Sequence, residues 1–347
     1  MKIGDQMKLQ ETLAFDDVLL VPQYSDIESR KQTNISSWLD DTIKLQIPII
    51  SSPMDTVTGE VMACEISILG GLGIIHRYNT PDQQADMVKY CKDNEAGAVG
   101  AAVGSTGDFL ERTEKLLNAG VNVLCVDVAH GDHISVKNAI AAIRAKFGYK
   151  IHIMAGNVAT KEAFERLSDW GADSIRVGVG GGSICSTRIQ TGHGVPTFWS
   201  VSECSNTSKR ARLIADGGIK TSGDIVKSLA VGADFVMLGS MLAGTDVSPG
   251  DIFEENGKQY KVYRGMASKE AQMDWKGSYS SFEGVASRVP YKGHLPNILE
   301  DITRNIRSGL SYSGAKDLVE LRAKAKFIKQ SSAAQIESSP HILIRHG

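Results

Sequence analysis

No run of 18 apolar residues occurs in the chain, and residues 1–17, MKIGDQMKLQETLAFDD, contain no apolar segment of the signal-peptide kind. Neither a membrane span nor export is expected, and the expected location is the cytoplasm. An excess of charge of one sign is also missing. Lys and Arg number 38 against 40 Asp and Glu, the formal net charge is −2, and the basic residues are scattered. No field for a polyanion results, so a nucleic acid polymer is not an expected partner. A single phosphate ester needs only a local site and stays open. Cysteine is scarce. Cys64, Cys91, Cys125, Cys185 and Cys204 make an odd five, with no CxxC pair and no Cys/His metal spacing. A disulfide framework is not expected on that pattern, and reduced thiols are. No low-complexity linker splits the 347 residues, which read as one domain with a large core.

Glycine is plentiful, with 35 residues clustered at particular joints. From about residue 48 a short apolar run ends in small or polar residues, and an amphipathic stretch follows. The runs are 48–53, 71–76, 98–104, 121–127, 151–157, 173–180, 211–218 and 234–240. Each is rich in Val and Ile without alternation, as parallel strands buried on both faces require. Between them, 136–147 and 161–171 carry apolar residues at i, i+3, i+4, and the second ends at a glycine suited to a C-cap. Eight such alternations predict an α/β fold, a (β/α)8 barrel. An open doubly wound sheet is the rival. It usually has five or six strands and a GxGxxG after the first, and neither is seen. Residues 1–47 form an N-terminal extension. Residues 245–295 form an insertion after the eighth strand, with a hairpin-like DIFEENGKQYKVY. Residues 296–314 read as a closing helix, and the polar tail from about 330 as mobile or reaching a neighbouring subunit.

In such barrels the active site lies at the C-terminal strand ends. After the sixth run comes VGVGGGSICSTRIQTGHGVP. Gly178, Gly180, Gly181 and Gly182 permit turns whose amides can nest an anion or whose carbonyls can face a cation. Ser183 can donate to a phosphate. Cys185 stands on this polar loop, which suits a nucleophile better than a packed apolar residue; the other four cysteines sit in apolar patterns and read as structural. Asp216 ends the seventh run and reads as ligand-directed or as a turn aspartate. Gly239 and Ser240 end the eighth, at a helix start that favours a phosphate. Asp127 ends the fourth run and suits a ribose hydroxyl. His130 or His133 faces a ligand or solvent.

The segments FDDVLLVPQYS (15–25), SSPMDTVT (51–58), GIIHR (73–77), GGGSICSTR (180–188), IADGGIKTSGDI (214–225), MLGSMLAGT (237–245), YRGMAS (263–268) and EGVASRVPYKG (283–293) resemble the IMP dehydrogenase/GMP reductase family. The likeness runs from about residue 12 to the C-terminus. It implies a barrel that forms homotetramers, and a cysteine thiolate that adds to C2 of a purine nucleotide while a hydride moves between C2 and a nicotinamide cofactor. By that resemblance Cys185, Thr187 and Glu283 are catalytic. Ser52, Ser183, Asp216, Gly218, Gly239, Ser240 and Tyr263 hold ribose and phosphate, and Gly265, Met266 and Ala267 lie near the base. Asp127, with Ala129 and His130, faces the nicotinamide ribose. A monovalent cation such as K+ is held by carbonyls of Gly180, Gly182 and Cys185, and ESSPH (337–341) completes that site from a neighbour.

The two branches of the family share the Cys185 adduct and differ in its fate. Dehydrogenases hydrolyse it with water activated by an adjacent Arg-Tyr pair on a mobile flap. Reductases form it by expelling ammonia from GMP and then reduce it. Between Met266 and Glu283 this chain has no arginine, and Ser278-Tyr279 is the nearest echo of the pair. The pair of CBS modules that most dehydrogenases insert near the second strand is absent. Against this, Val285 stands where reductases carry a lysine, and VGAAVG, VPYKG, AGTDVSPG and ESSPH look more like the dehydrogenases. The flap performs the distinguishing step, so the expectation is a GMP reductase using NADPH, with Thr187 and Glu283 handling the departing ammonia. IMP dehydrogenase with NAD is the alternative, and a nucleotide-binding protein without turnover is a third reading.

Overall fold

The computed structural model describes residues 9–279 and 282–338. The eight apolar runs become strands β1 (Ile49–Ser51), β2 (Leu72–Ile75), β3 (Val99–Val103), β4 (Val123–Asp127), β5 (His152–Val158), β6 (Ser174–Val177), β7 (Arg212–Asp216) and β8 (Phe235–Leu238). They pair in sequence order, all parallel, and β8 returns to β1 to close the barrel. This is the expected (β/α)8 fold, and a doubly wound sheet is excluded. The strands are mostly shorter than their runs because the flanking small residues leave the ladder to form the loops that carry the site.

Outside the strands lie α1 (Glu60–Ile68), α2 (Pro81–Asp93), α3 (Phe109–Asn118), α4 (Ile134–Phe147), α5 (Lys161–Asp169), α6 (Thr197–Ser205) and α7 (Ser222–Val231). α2 shows how local sequence sets a boundary. Thr80 accepts the Gln83 N–H, Gln83 answers on the Thr80 N–H, and Pro81 occupies the first turn. After α5 the chain turns at Gly171 (φ +104°), the glycine expected to end that helix. In the insertion, β9 (Phe253–Glu255) and β10 (Lys258–Arg264) form the expected hairpin. Asn256 and Gly257 both take positive φ at its two-residue turn. Two elements there were not expected: α8 (Lys269–Lys276), and β11 (Ala286–Pro290), which pairs with β10. The closing helix α9 (Leu295–Tyr312) buries Leu295, Leu299, Ile302, Ile306 and Leu310 along one stripe.

Parts of both terminal regions form regular structure. Val18–Leu20 pairs antiparallel with Phe327–Lys329, and Ser332–Glu337 in the tail is a short helix. Residues 339–341 of the ESSPH segment lie outside the described residues. The N-terminal extension plugs the lower barrel mouth. Its two-stranded piece, Ser37–Trp38 with Lys44–Leu45, sends Leu39 and Leu45 against Ile50, Leu72 and Phe235 inside the barrel.

That plug is fastened by a polar pair, a buried histidine and a half-buried aspartate. His152 Nδ1 lies 2.8 Å from Asp40 Oδ2, and its Nε2 lies 2.8 Å from Ser174 Oγ. Burial alone would raise the Asp40 carboxyl. Hydrogen bonds from His152, from the Thr42 amide and hydroxyl and from the Ile43 amide outweigh it and hold the group well below the usual range. A depressed carboxyl stabilises the fold above its unfolded pKa, near 4, and that stabilisation is withdrawn as pH falls below it. We expect Asp40→Asn to lower stability at pH 7 by about 1–3 kcal/mol. The variant's urea midpoint should also change less between pH 5 and pH 3 than the wild type's.

Candidate active site

The C-terminal strand ends surround a cavity of about 460 Å3. The glycine loop after β6 forms one wall. Gly178 has φ +146°, and a Cβ there would lie 1.9 Å from the Asp216 carbonyl oxygen, so only glycine lets the loop cross β7 this closely. Cys185 hangs from this loop, half-buried, whereas Cys64, Cys91, Cys125 and Cys204 are buried. Burial pushes the thiols of Cys91, Cys125 and Cys204 up to about 12, which keeps them protonated and inert. Their structural reading is supported, and Cys185 is the thiol in the cavity.

A second wall comes from the end of the flap. Glu283 and Val285 pair with the cysteine loop through Ser186 N to Glu283 O (2.8 Å) and Val285 N to Ile184 O (3.0 Å). Gly284 forms bridges to Cys185 and Ser268, and a Cβ on it would meet Ser268 N at 3.1 Å. This clamp sets three side chains in line. The Cys185 thiol donates to Thr187 Oγ1 (3.1 Å), and the Thr187 hydroxyl donates to Glu283 Oε2 (2.7 Å). A proton can move along this line between sulfur and carboxylate, or from the carboxylate to a group bonded near the sulfur.

The floor is electrostatic. Arg176 projects from β6 with its side chain 8% exposed, between Asp127 on β4 and Asp216 on β7. Its Nη1 lies 2.5 Å from Asp127 Oδ1, and its Nε and Nη2 lie 3.1 and 2.9 Å from Asp216 Oδ2. Asn157, at the end of β5, donates to the same Asp216 oxygen (2.8 Å) and to the Gly178 carbonyl (2.9 Å). Burial would lower the arginine's pKa, but the two carboxylates raise it well above its ordinary value. The pair of aspartates is thus held as two oriented acceptors with one shared counter-charge. Arg77, after β2, lies 3.8 Å from Asp127, and its Nε is buried without a hydrogen-bond partner among the described residues. Arg176→Met would leave two carboxylates facing each other with one cation gone. We expect a loss of roughly 3–5 kcal/mol in stability, seen as a fall in urea midpoint. Affinity for any ligand held by either aspartate should fall with it.

A third cluster is neutral. Ser52 Oγ and Tyr263 Oη both approach Gly239, where a Cβ would lie 3.2 and 3.1 Å from them, and Ser183 Oγ is 3.5 Å from Tyr263 Oη. Ser52 Oγ is buried without a hydrogen-bond partner among the described residues. Hydroxyls, a close-lying backbone and the loop after β8 together offer hydrogen bonds to an anion.

The cavity therefore brings together Cys185, Thr187 and Glu283 with Ser52, Ser183, Asp216, Gly218, Gly239, Ser240, Tyr263, Gly265, Met266 and Ala267, and with Asp127, Ala129, Gly180 and Gly182. His130 is not among the lining residues and stands exposed, and His133 caps α4 by accepting the Ser135 N–H. Gly182's carbonyl accepts the Cys185 N–H (3.1 Å), so one of its lone pairs is used within the loop. No cluster of three or more His, Cys, Asp or Glu suited to a metal occurs among the described residues. The sequence reading missed Arg77, Tyr78, Asn157, Arg176 and Gln272, which also line the cavity. Arg176 left a signal, a lone charge inside an apolar strand, and Asn157 ends β5 as Asp127 ends β4.

The model of the IMP dehydrogenase / GMP reductase domain matches residues 12–341. The inosine-5'-monophosphate dehydrogenase of Nitrosopumilus maritimus is 36% identical over 96% of this chain and 99% of its own length. That of Borreliella burgdorferi is 36% identical over 96% and 97%. Among solved structures, a cysteine-to-alanine variant of GMP reductase from Trypanosoma brucei, in complex with guanosine 5'-monophosphate, superposes with a TM-score of 0.92 at 28% identity, covering 97% of this chain and 99% of that one. No described helix is long and apolar enough to cross a membrane.

Proposed function

The chain belongs to the IMP dehydrogenase/GMP reductase family, oxidoreductases of purine nucleotide metabolism that use NAD(P) cofactors, and from this premise we propose that it is a GMP reductase. It converts GMP to IMP and ammonia with NADPH. The observation that carries this reading is the line Cys185–Thr187–Glu283, closed over by a flap with no arginine between Met266 and Glu283.

GMP enters with its phosphate at Ser52, Ser183, Gly218, Gly239, Ser240 and Tyr263 and its ribose hydroxyls at Asp216. This puts C2 against Cys185. The sulfur forms a bond to C2, and the bond from C2 to the amine breaks. Glu283, through Thr187, delivers the proton with which the amine leaves as ammonia. The purine is then held to Cys185 as a thioimidate. Asp127 and Ala129, with Arg77 beside them, are the residues that would hold the nicotinamide ribose, and the orphaned Arg77 Nε fits a polar or anionic group there. When bound there, the cofactor would supply the hydride that C2 takes up. The carbon–sulfur bond then breaks, releasing IMP and returning the thiolate. The reading includes a cytoplasmic homotetramer. A K+ ion at Gly180, Gly182 and Cys185 belongs to it as well, although no step above uses the ion.

A second reading, IMP dehydrogenase with NAD, is favoured by the names of the curated relatives and by Val285 in place of the reductase lysine. One assay separates them. Purified protein is given GMP with NADPH and, separately, IMP with NAD. NADPH consumption with stoichiometric ammonia release supports the reductase. NADH formation from IMP, with no reaction of GMP, overturns it.

A further inference from the structure

Met266 and Ala267 lie between the end of β10 and α8, and three other parts of the chain hold them. Asp55, after β1, donates its N–H to Met266 Sδ (3.2 Å). Arg264 bridges Asp55 to Asp274 on α8. Glu283 N and Gln272 Nε2 both donate to the Ala267 carbonyl, at 3.0 and 3.1 Å.

The remaining hold comes from Tyr78, in the loop after β2. Its hydroxyl donates to the Met266 carbonyl at 2.6 Å. Its ring stacks on Trp275 of α8, with centroids 6.0 Å apart and planes at 14°. Burial raises the phenol's pKa, so the hydroxyl keeps the proton it donates. No hydrogen bond among the described residues uses the Met266 or Ala267 N–H. The Met266 carbonyl shares its peptide plane with the Ala267 N–H, and the Gly265 carbonyl, which accepts the Ser268 N–H at 2.9 Å, shares its plane with the Met266 N–H, so both planes are held and the two amides become oriented donors.

The orientation of the base follows from the reaction. If C2 meets Cys185 and Glu283 borders the N1 and 2-amino edge, the next acceptor round the ring is the 6-oxygen. The Ala267 carbonyl accepts Glu283's own N–H, and Met266 and Ala267 line the cavity beside Glu283. We propose that Tyr78 is a positioning residue for purine recognition: its hydroxyl on the Met266 carbonyl and its stack on Trp275 orient the Ala267 amide, beside that of Met266, toward the 6-oxo group of the nucleotide. The proposal rests on the reading of the site given above.

The test compares GMP with 2-aminopurine riboside 5'-monophosphate, which lacks the 6-oxygen and with it the N1 hydrogen; the N1 difference is common to all the variants compared. Binding of each is measured by calorimetry to wild type, Tyr78→Phe, which keeps the stack, and Trp275→Leu, which keeps the hydroxyl. Wild type should prefer GMP by more than about tenfold, the worth of a hydrogen bond to a preoriented donor pair. Tyr78→Phe should weaken GMP about tenfold, leave the analogue nearly unchanged and so erase most of the preference. Trp275→Leu should narrow it in the same direction. The Tyr78→Phe penalty should appear in the KM for GMP more than in kcat. Equal weakening of both nucleotides would make Tyr78 a merely structural residue and overturn the proposal. So would a Tyr78→Phe variant that kept the full wild-type preference. A wild-type protein that bound neither nucleotide would instead overturn the reading of the site, and this inference with it.

Discussion

Cys185→Ser should bind GMP about as well as wild type and turn it over at least about 10^4-fold more slowly. The substitution is nearly isosteric, and the loop that carries it is fixed by backbone contacts the side chain does not make. Gly178 crosses Asp216, Val195 N bonds to Val179 O, and Ser186 N bonds to Glu283 O. The hydroxyl still reaches Thr187. What is lost is nucleophilicity. A thiol gives an appreciable thiolate fraction near neutral pH, and an alcohol with no strong base beside it does not. The expected pattern is a collapse in kcat with the dissociation constant for GMP changed less than about threefold, read by stopped-flow or calorimetry. Retention of turnover within about tenfold of wild type would mean that no covalent adduct at residue 185 lies on the path.

The second large effect belongs to the other end of the same line. Glu283→Gln keeps the hydrogen bond to Thr187 in geometry and removes the carboxylate's capacity to take and return a proton. A positioned acid–base group is worth roughly 10^2–10^4 in rate, so kcat should fall by that range while GMP still binds. Thr187→Val should reproduce the loss, because it interrupts the line between sulfur and carboxylate at its middle. The double variant should be little worse than either single one, since the two residues act as one relay. Fully additive losses would assign Thr187 and Glu283 separate tasks.

The barrel was legible because each strand is buried on both faces, and that demand writes continuous Val/Ile runs. The same demand makes the C-terminal end of each run the place to look, and Asp127, Cys185, Asp216 and Gly239 all fall there. Relations across strands were not legible. Arg176 stands in the run SIRV, but that it serves Asp127 and Asp216 together follows only from β4, β6 and β7 meeting in the closed barrel. Tyr78 and Met266 are 188 positions apart, and neither residue type announces the other. The short pairing of Val18–Leu20 with Phe327–Lys329 is three residues long at each end, too brief to show a period. The third flap strand escaped notice for a related reason. Ala286–Pro290 is largely exposed and lacks an apolar run, and its register is set by β10.

The electrostatics of the floor bear on how the two ligands meet. Asp216 is assigned to the nucleotide ribose and Asp127 to the nicotinamide ribose, and Arg176 holds both. A change at Arg176 should therefore weaken both ligands, whereas a change at Ser52 or Tyr263 should weaken the nucleotide alone.

Loss of ammonia from GMP should leave a covalent purine on Cys185. This is tested most directly by intact-protein and peptide mass spectrometry after acid quench. The protein is mixed with GMP and NADP+, which fills the cofactor site without a hydride to give. The account predicts an adduct on the Cys185 peptide whose mass is that of GMP less ammonia, with ammonia released in equal amount and no adduct in Cys185→Ser. An adduct that formed only from IMP with NAD, or no adduct at Cys185 under any of these conditions, would contradict it.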